Sequence, residues 1–90
     1  MLSIRLEPHE GHCIETAARL RHRALVGILL EDPYAPGKVS DEAELLREFL
    51  ETADLPFLRA ESERHLVEGR RVVFTVERLG GAVTWRMDVD

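Results

Sequence analysis

His9, Glu10, His12 and Cys13 crowd chemically capable groups into one short stretch of the chain. Imidazole and thiolate are ligands for zinc or another first-row metal, and His-x2-His-Cys sets three donors within about one turn of chain. A closed site needs a fourth donor, which would have to come from His22 or His65 elsewhere in the fold. Known zinc spacings pair two separated clusters, and this chain offers one. The expectation is therefore a polar loop with no resident metal or cofactor. His9, His12 and Cys13 are the candidate ligands should a metal bind.

His12-Cys13 followed by five residues and Arg19 reads His-Cys-x5-Arg. Over eight residues this resembles the signature of the protein tyrosine phosphatases. The resemblance implies a Cys13 thiolate as nucleophile, loop amides cradling phosphate, and Arg19 as clamp. A cysteine at a helix N-terminus does have a lowered pKa. Ile14-Glu15-Thr16-Ala17-Ala18, however, are helix formers rather than an open loop. Glu15 also puts an anion inside the anion cradle, and Leu20 stands where the family has Ser or Thr. The residues read better as Cys13 opening an apolar stripe and Arg19 on a wet face, so no catalytic residue is assigned.

Two further patterns carry less. Arg19, Arg21, His22 and Arg23 form the densest basic cluster, but on a helix Arg21 points about 160° away from Arg23. Pro36-Gly37-Lys38 has the Gly-Lys of a phosphate loop without its upstream glycine. No Ser-His-Asp spacing and no paired carboxylates stand out.

The elements that position these groups follow from periodicity. Residues 2–7 alternate, with Leu2, Ile4 and Leu6 on one side, as in a half-buried strand. From His12 to Leu30 the pattern is helical. Cys13, Ala17, Leu20, Ala24 and Ile28 form one stripe, and Ile14, Ala18, Leu25 and Leu29 run beside it. After Ala24 the wet side ends, since Val26 and Leu30 replace Arg19 and Arg23. Such a helix must be enclosed by its own domain or by a partner.

Asp32–Ser40, with two prolines and a glycine, reads as a long connection. Asp41 reads as the N-cap of a second helix with Leu45, Leu46, Phe49, Leu50 and Ala53 inward. Residues 55–68 admit two readings. As a strand they would put Glu63 and Glu61 on an apolar face. As a helix they have Asp54 as N-cap, a stripe of Leu55, Leu58, Ser62 and Leu66, and Gly69 past the end. The helix is preferred. Gly80-Gly81 suits a two-residue turn that sets Val76 opposite Trp85, Phe74 opposite Met87 and Val72 opposite Val89. The expected fold is a single α+β domain over residues 1–90, order β-α-α-α-β-β, with helices on a small antiparallel sheet.

Ninety residues with twelve basic and seventeen acidic groups carry a net charge of −5. The imbalance is local: residues 41–68 hold three basic against nine acidic groups, a net of −6. Nucleic acid is thus disfavoured as a partner, most of all at the second and third helices. One cysteine excludes an internal disulfide and fits a reducing cytoplasm. Neither a signal segment nor a membrane span is expected, because the longest apolar run, Ala24–Leu30, has seven residues.

Three functions are in contention. The first is a non-catalytic interaction or regulatory module, a homodimer or the small subunit of an assembly, with Val26, Ile28, Leu29, Leu30 and Tyr34 as contact surface. The second is a winged-helix-like nucleic-acid binder, on element order alone. The third is a small metal- or thiol-dependent protein using His9, His12 and Cys13. The first is expected.

Overall fold

Alternation in Leu2–Leu6 makes strand β1, whose even-numbered residues are buried while Ser3 and Arg5 are exposed. The chain then turns through residues 7–13 into helix α1 (Ile14–Glu31), helix α2 (Gly37–Thr52) and helix α3 (Leu55–Leu66). It ends in the hairpin of β2 (Val72–Leu79) and β3 (Ala82–Val89). The computed structural model describes residues 1–90, and its order is β-α-α-α-β-β.

The sheet is antiparallel with β2 between β1 and β3. Gly80 and Gly81, at φ +58° and +83°, form the two-residue turn, a backbone that other residues adopt only with strain. The hairpin register is the one that alternation predicts, with Val76 opposite Trp85, Phe74 opposite Met87 and Val72 opposite Val89. On the other side of β2, Leu2, Ile4 and Leu6 oppose Val76, Phe74 and Val72. Three apolar rows therefore cross the sheet on the face that carries the helices.

Burial along those rows is uneven. The β1 and β2 members are all buried, together with Ile14, Ala18, Leu25, Leu46, Phe49 and Leu58 from the helices. In β3, Trp85 and Val89 stay open and Met87 is only half-buried. The helical layer covers β1 and β2 and only part of β3, where Val83 and Met87 pack against the core.

Two expectations need correction. Asp41 is not a helix N-cap: α2 begins at Gly37 after Pro36, so the connection is only residues 32–36. Gly and Lys are tolerated in a first turn, and Pro36 supplies the carbonyl that accepts the Val39 amide at 2.9 Å. This early start lets Val39 pack against the core. The second correction concerns α1, whose core side is Ile14, Ala18 and Leu25, while Leu20, Ala24 and Ile28 face outward. For residues 55–68 the helix is what forms, and the Asp54 carboxylate accepts the Phe57 amide at 3.2 Å as the N-cap.

Candidate functional site

The turn from β1 into α1 brings Cys13 to the N-cap of that helix. Arg71 at the start of the hairpin holds the turn in place, with its Nε 2.9 Å from the Glu7 carboxylate and its Nη1 3.4 Å from Asp90. A cleft of about 580 Å³ opens there, lined among others by Glu7, His12, Cys13, Thr16, Arg59 and Glu63. The Cys13 sulfur lies 3.3 Å from the Thr16 hydroxyl. Burial pushes the thiol pKa up, but the Thr16 hydroxyl, the Thr16 and Glu15 amides and the Arg59 charge together outweigh it. The pKa is therefore lowered, as expected for a sulfur at the positive end of a helix.

The other sequence candidates are not gathered around that thiol. His12 lines the cleft and His9 does not. His22 lies in a shallow depression with Arg19, Arg23, Val26 and Leu50. No group of three or more His, Cys, Asp or Glu side chains is arranged to hold a metal ion. Arg19 reaches back 3.4 Å to Glu15 along its own helix, so it pairs with a carboxylate instead of turning toward Cys13. Chemically the cleft offers one polarised thiol beside an Arg59–Glu63 ion pair of 3.1 Å.

The basic groups of α3 and of the hairpin are likewise engaged. In α3, Arg59 pairs with Glu63 and Arg64 with Glu61. Around the hairpin, Arg70, Arg71, Arg78 and Arg86 all sit within 4 Å of carboxylates, the shortest being Arg78–Glu48 at 2.6 Å. The helices α2 and α3 scarcely touch each other, and both pack on α1. In a helix-turn-helix the two would brace one another.

The remaining feature is apolar surface. Along α1, Leu20, Ala24 and Ile28 recur every fourth residue on the outer side, and Leu30 and Tyr34 beyond them are nearly fully exposed. Of the contact residues expected from sequence, Ile28, Leu30 and Tyr34 are exposed, whereas Val26 and Leu29 are half-buried and Leu29 packs on the core. Leu20 and Ala24 belong to this surface although they are not among the contact residues expected from sequence. Equal apolarity of two adjacent stripes hid the difference.

Fold and surface together define a small α+β domain, three helices on one face of a three-stranded antiparallel sheet. A protein-family model matches residues 2–82, and the chain belongs to that family. An uncharacterized protein of Archaeoglobus fulgidus is 49% identical over 51 residues, which are 54% of this chain and 60% of that relative. The match thus spans less than two thirds of the relative's length. No solved structure matches the chain significantly. No helix is long and apolar enough to cross a membrane.

Proposed function

We propose that the protein is a non-catalytic interaction module that self-associates or serves as the small subunit of a larger assembly in the cytoplasm. One observation carries this reading: α1 has two apolar sides, and its own domain covers only one. Leu20, Ala24 and Ile28 stay partly in water although helix formation has already ordered their backbone, and Leu30, about 160° round the helix from Ile28, and Tyr34, past its end, are more exposed still. Ala24 and the adjacent Gly27 are small, so a second element can approach the helix axis closely between Leu20 and Ile28. A partner covering this stripe gains roughly 25 cal/mol for each Å² of apolar surface removed from water.

The test is the solution mass by light scattering at micromolar concentration, for the wild type and for the double variant Leu20→Glu/Ile28→Glu. The wild type is expected above the monomer mass of 10.3 kDa, and the variant at a lower mass, still folded, with a melting temperature lowered by about 8–16 °C for two half-buried side chains. A variant that unfolds would mean that these side chains are core after all, and the reading fails.

A second reading has one specific observation in its favour. The lowered pKa of Cys13, in a cleft with Arg59, gives a larger thiolate fraction than a free thiol has at the same pH. Its test is the alkylation rate against a free thiol at pH 7. A rate no faster than the free thiol removes this reading.

A further inference from the structure

β3 is an edge strand with its bonding pattern open on one side. Asp90 donates its amide to the Arg71 carbonyl at 2.9 Å, and Leu79 and Ala82 close a two-residue turn. In an antiparallel ladder these pairs place the even-numbered residues of β3 in bonding position toward β2. The N–H and C=O groups of Val83, Trp85, Met87 and Val89 consequently point away from the sheet. Their side chains lie on the helix-side face, where Trp85 is 40% and Val89 38% exposed. Arg86 and Asp88 lie on the opposite face, 3.1 Å from each other.

We propose that β3 pairs antiparallel with β3 of a second copy about a two-fold axis through Met87, fusing two three-stranded sheets into one. The inference rests on the reading of the protein as a self-associating module and names the surface and register that join two copies. An exposed edge strand is a template for another chain, and a two-fold axis makes the same patch serve on both sides. The apolar row must stay on the helix-side face, so the axis has to pass through a residue rather than between two.

Charge then selects among the registers, since an axis through Trp85 sets Arg86 opposite Thr84 and Asp88 opposite Ala82 and gives neither a charge partner. An axis through Arg86 sets that guanidinium against its own copy, and an axis through Asp88 sets two carboxylates together. Like charges directly opposite are destabilising. The axis through Met87 instead places Arg86 opposite Asp88 of the second copy, twice by symmetry. On the other face the same register puts Trp85 opposite Val89 of the second copy and Met87 opposite its equivalent. Both are positions whose backbone groups point outward, so open amides and carbonyls meet in hydrogen-bonding pairs. Segment 85–89 is thus complementary to its own reversed copy in charge, apolarity and bonding.

The opposite sheet edge is less suited: the register about Leu6, which would set Arg5 opposite Glu7, runs past the end of β1 into Pro8, and Glu7 is already held by Arg71 at 2.9 Å. Leu2, Ile4 and Leu6 face Val76, Phe74 and Val72 in bonding position, leaving the backbone of Ser3 and Arg5 outward. Pairing β1 with its copy about Ile4 sets Arg5 opposite Ser3 and supplies no carboxylate opposite Arg5. The self-complementary edge is β3.

The experiment measures solution mass and dimer dissociation constant for the full chain in the Leu20→Glu/Ile28→Glu background, which removes contacts through α1. Dimers are expected there, and Met87→Lys, which sets two ammonium groups at the axis, should return monomers. Met87→Pro deletes only an outward-pointing N–H, a place where an edge strand tolerates proline, and should do the same. Arg86→Asp and Asp88→Arg should each weaken the dimer about tenfold, from two like-charged pairs, and the double exchange should restore it. Circular dichroism accompanies every variant, so that loss of dimer is read only on folded protein. A monomeric Leu20→Glu/Ile28→Glu background from a self-associating wild type overturns the β3 pairing and leaves the interaction-module reading standing. A wild type that is monomeric at all concentrations overturns both the pairing and self-association. Charge exchange that fails to restore the dimer overturns the register.

Discussion

Leu25 and Ile28 lie three residues apart on α1, are both large aliphatics, and should respond very differently to truncation. Leu25 is 7% exposed and belongs to the core cluster, whereas Ile28 is 46% exposed. Leu→Ala in a packed core costs about 2–5 kcal/mol. Leu25 keeps a little exposure where Ile14 and Ala18 have none, so about 3 kcal/mol is appropriate. Burying a whole isoleucine side chain is worth about 1.5–3 kcal/mol, and Ile28 buries about half of itself, so Ile28→Ala should cost about 1 kcal/mol. In a domain of this size 1 kcal/mol moves the melting temperature by about 4–8 °C. Leu25→Ala should then lower it by about 12–24 °C and Ile28→Ala by about 4–8 °C. The first is a large fraction of the roughly 5–13 kcal/mol that holds a chain of this length together. Thermal unfolding by circular dichroism, at a concentration low enough to suppress association, gives both numbers free of mass-action effects. Equal losses, or a larger one at Ile28, would refute the assignment of the outer stripe.

Three other expectations follow from the geometry. Asp54→Ala removes the side-chain acceptor of the Phe57 amide and should destabilise the domain by about 1 kcal/mol in urea unfolding, whereas Asp41→Ala should have little effect. Gly81→Ala forces a side chain into φ +83° and should cost about 1–2 kcal/mol by the same measurement, provided the hairpin turn keeps its shape. The Cys13 thiol titrates below its ordinary value, so iodoacetamide reactivity should rise with pH earlier than that of a free thiol; Thr16→Ala and Arg59→Ala should each shift the profile to higher pH. The sign for stability is the same as for a depressed acid: the thiolate's contribution is complete above the unfolded pKa and lost as pH falls through the folded one.

Local rules were read most reliably where several agreed on one residue. Gly80-Gly81 demands a left-handed turn, and alternation on both flanks permits one register, so the hairpin was legible in full. Asp54 was legible as a cap because Leu55, Leu58, Ser62 and Leu66 begin a helical stripe directly after it. Asp41 misled for a related reason. Asp followed by Glu44 mimics a capping box, yet Gly37 and Lys38 were free to turn earlier once Val39 found the core. The chemistry of the first turn of α1 was legible only in type. That Cys13 opens a helix predicts a depressed thiol pKa, but Arg59 reaches it from another helix, and no spacing along the chain announces that approach.

From its sequence alone the chain had an α+β order, a hairpin with its register, a capped third helix, and a first helix with more apolar surface than one small domain can cover. These features are local, set by φ preferences, caps and the two side-chain periods, and they do not depend on what lies across the core. Tertiary structure alone decided which apolar stripe of α1 would be buried, because Ile14–Ala18–Leu25 and Leu20–Ala24–Ile28 are equivalent until the sheet is placed beneath one of them. It also decided that β2 would be central and β3 an edge, with the apolar residues of β1 and β2 buried under the helices and those of β3 covered only in part. Burial is a property of what meets across space, and of the three helices only α2 packs appreciably on β3, which leaves Trp85 and Val89 open.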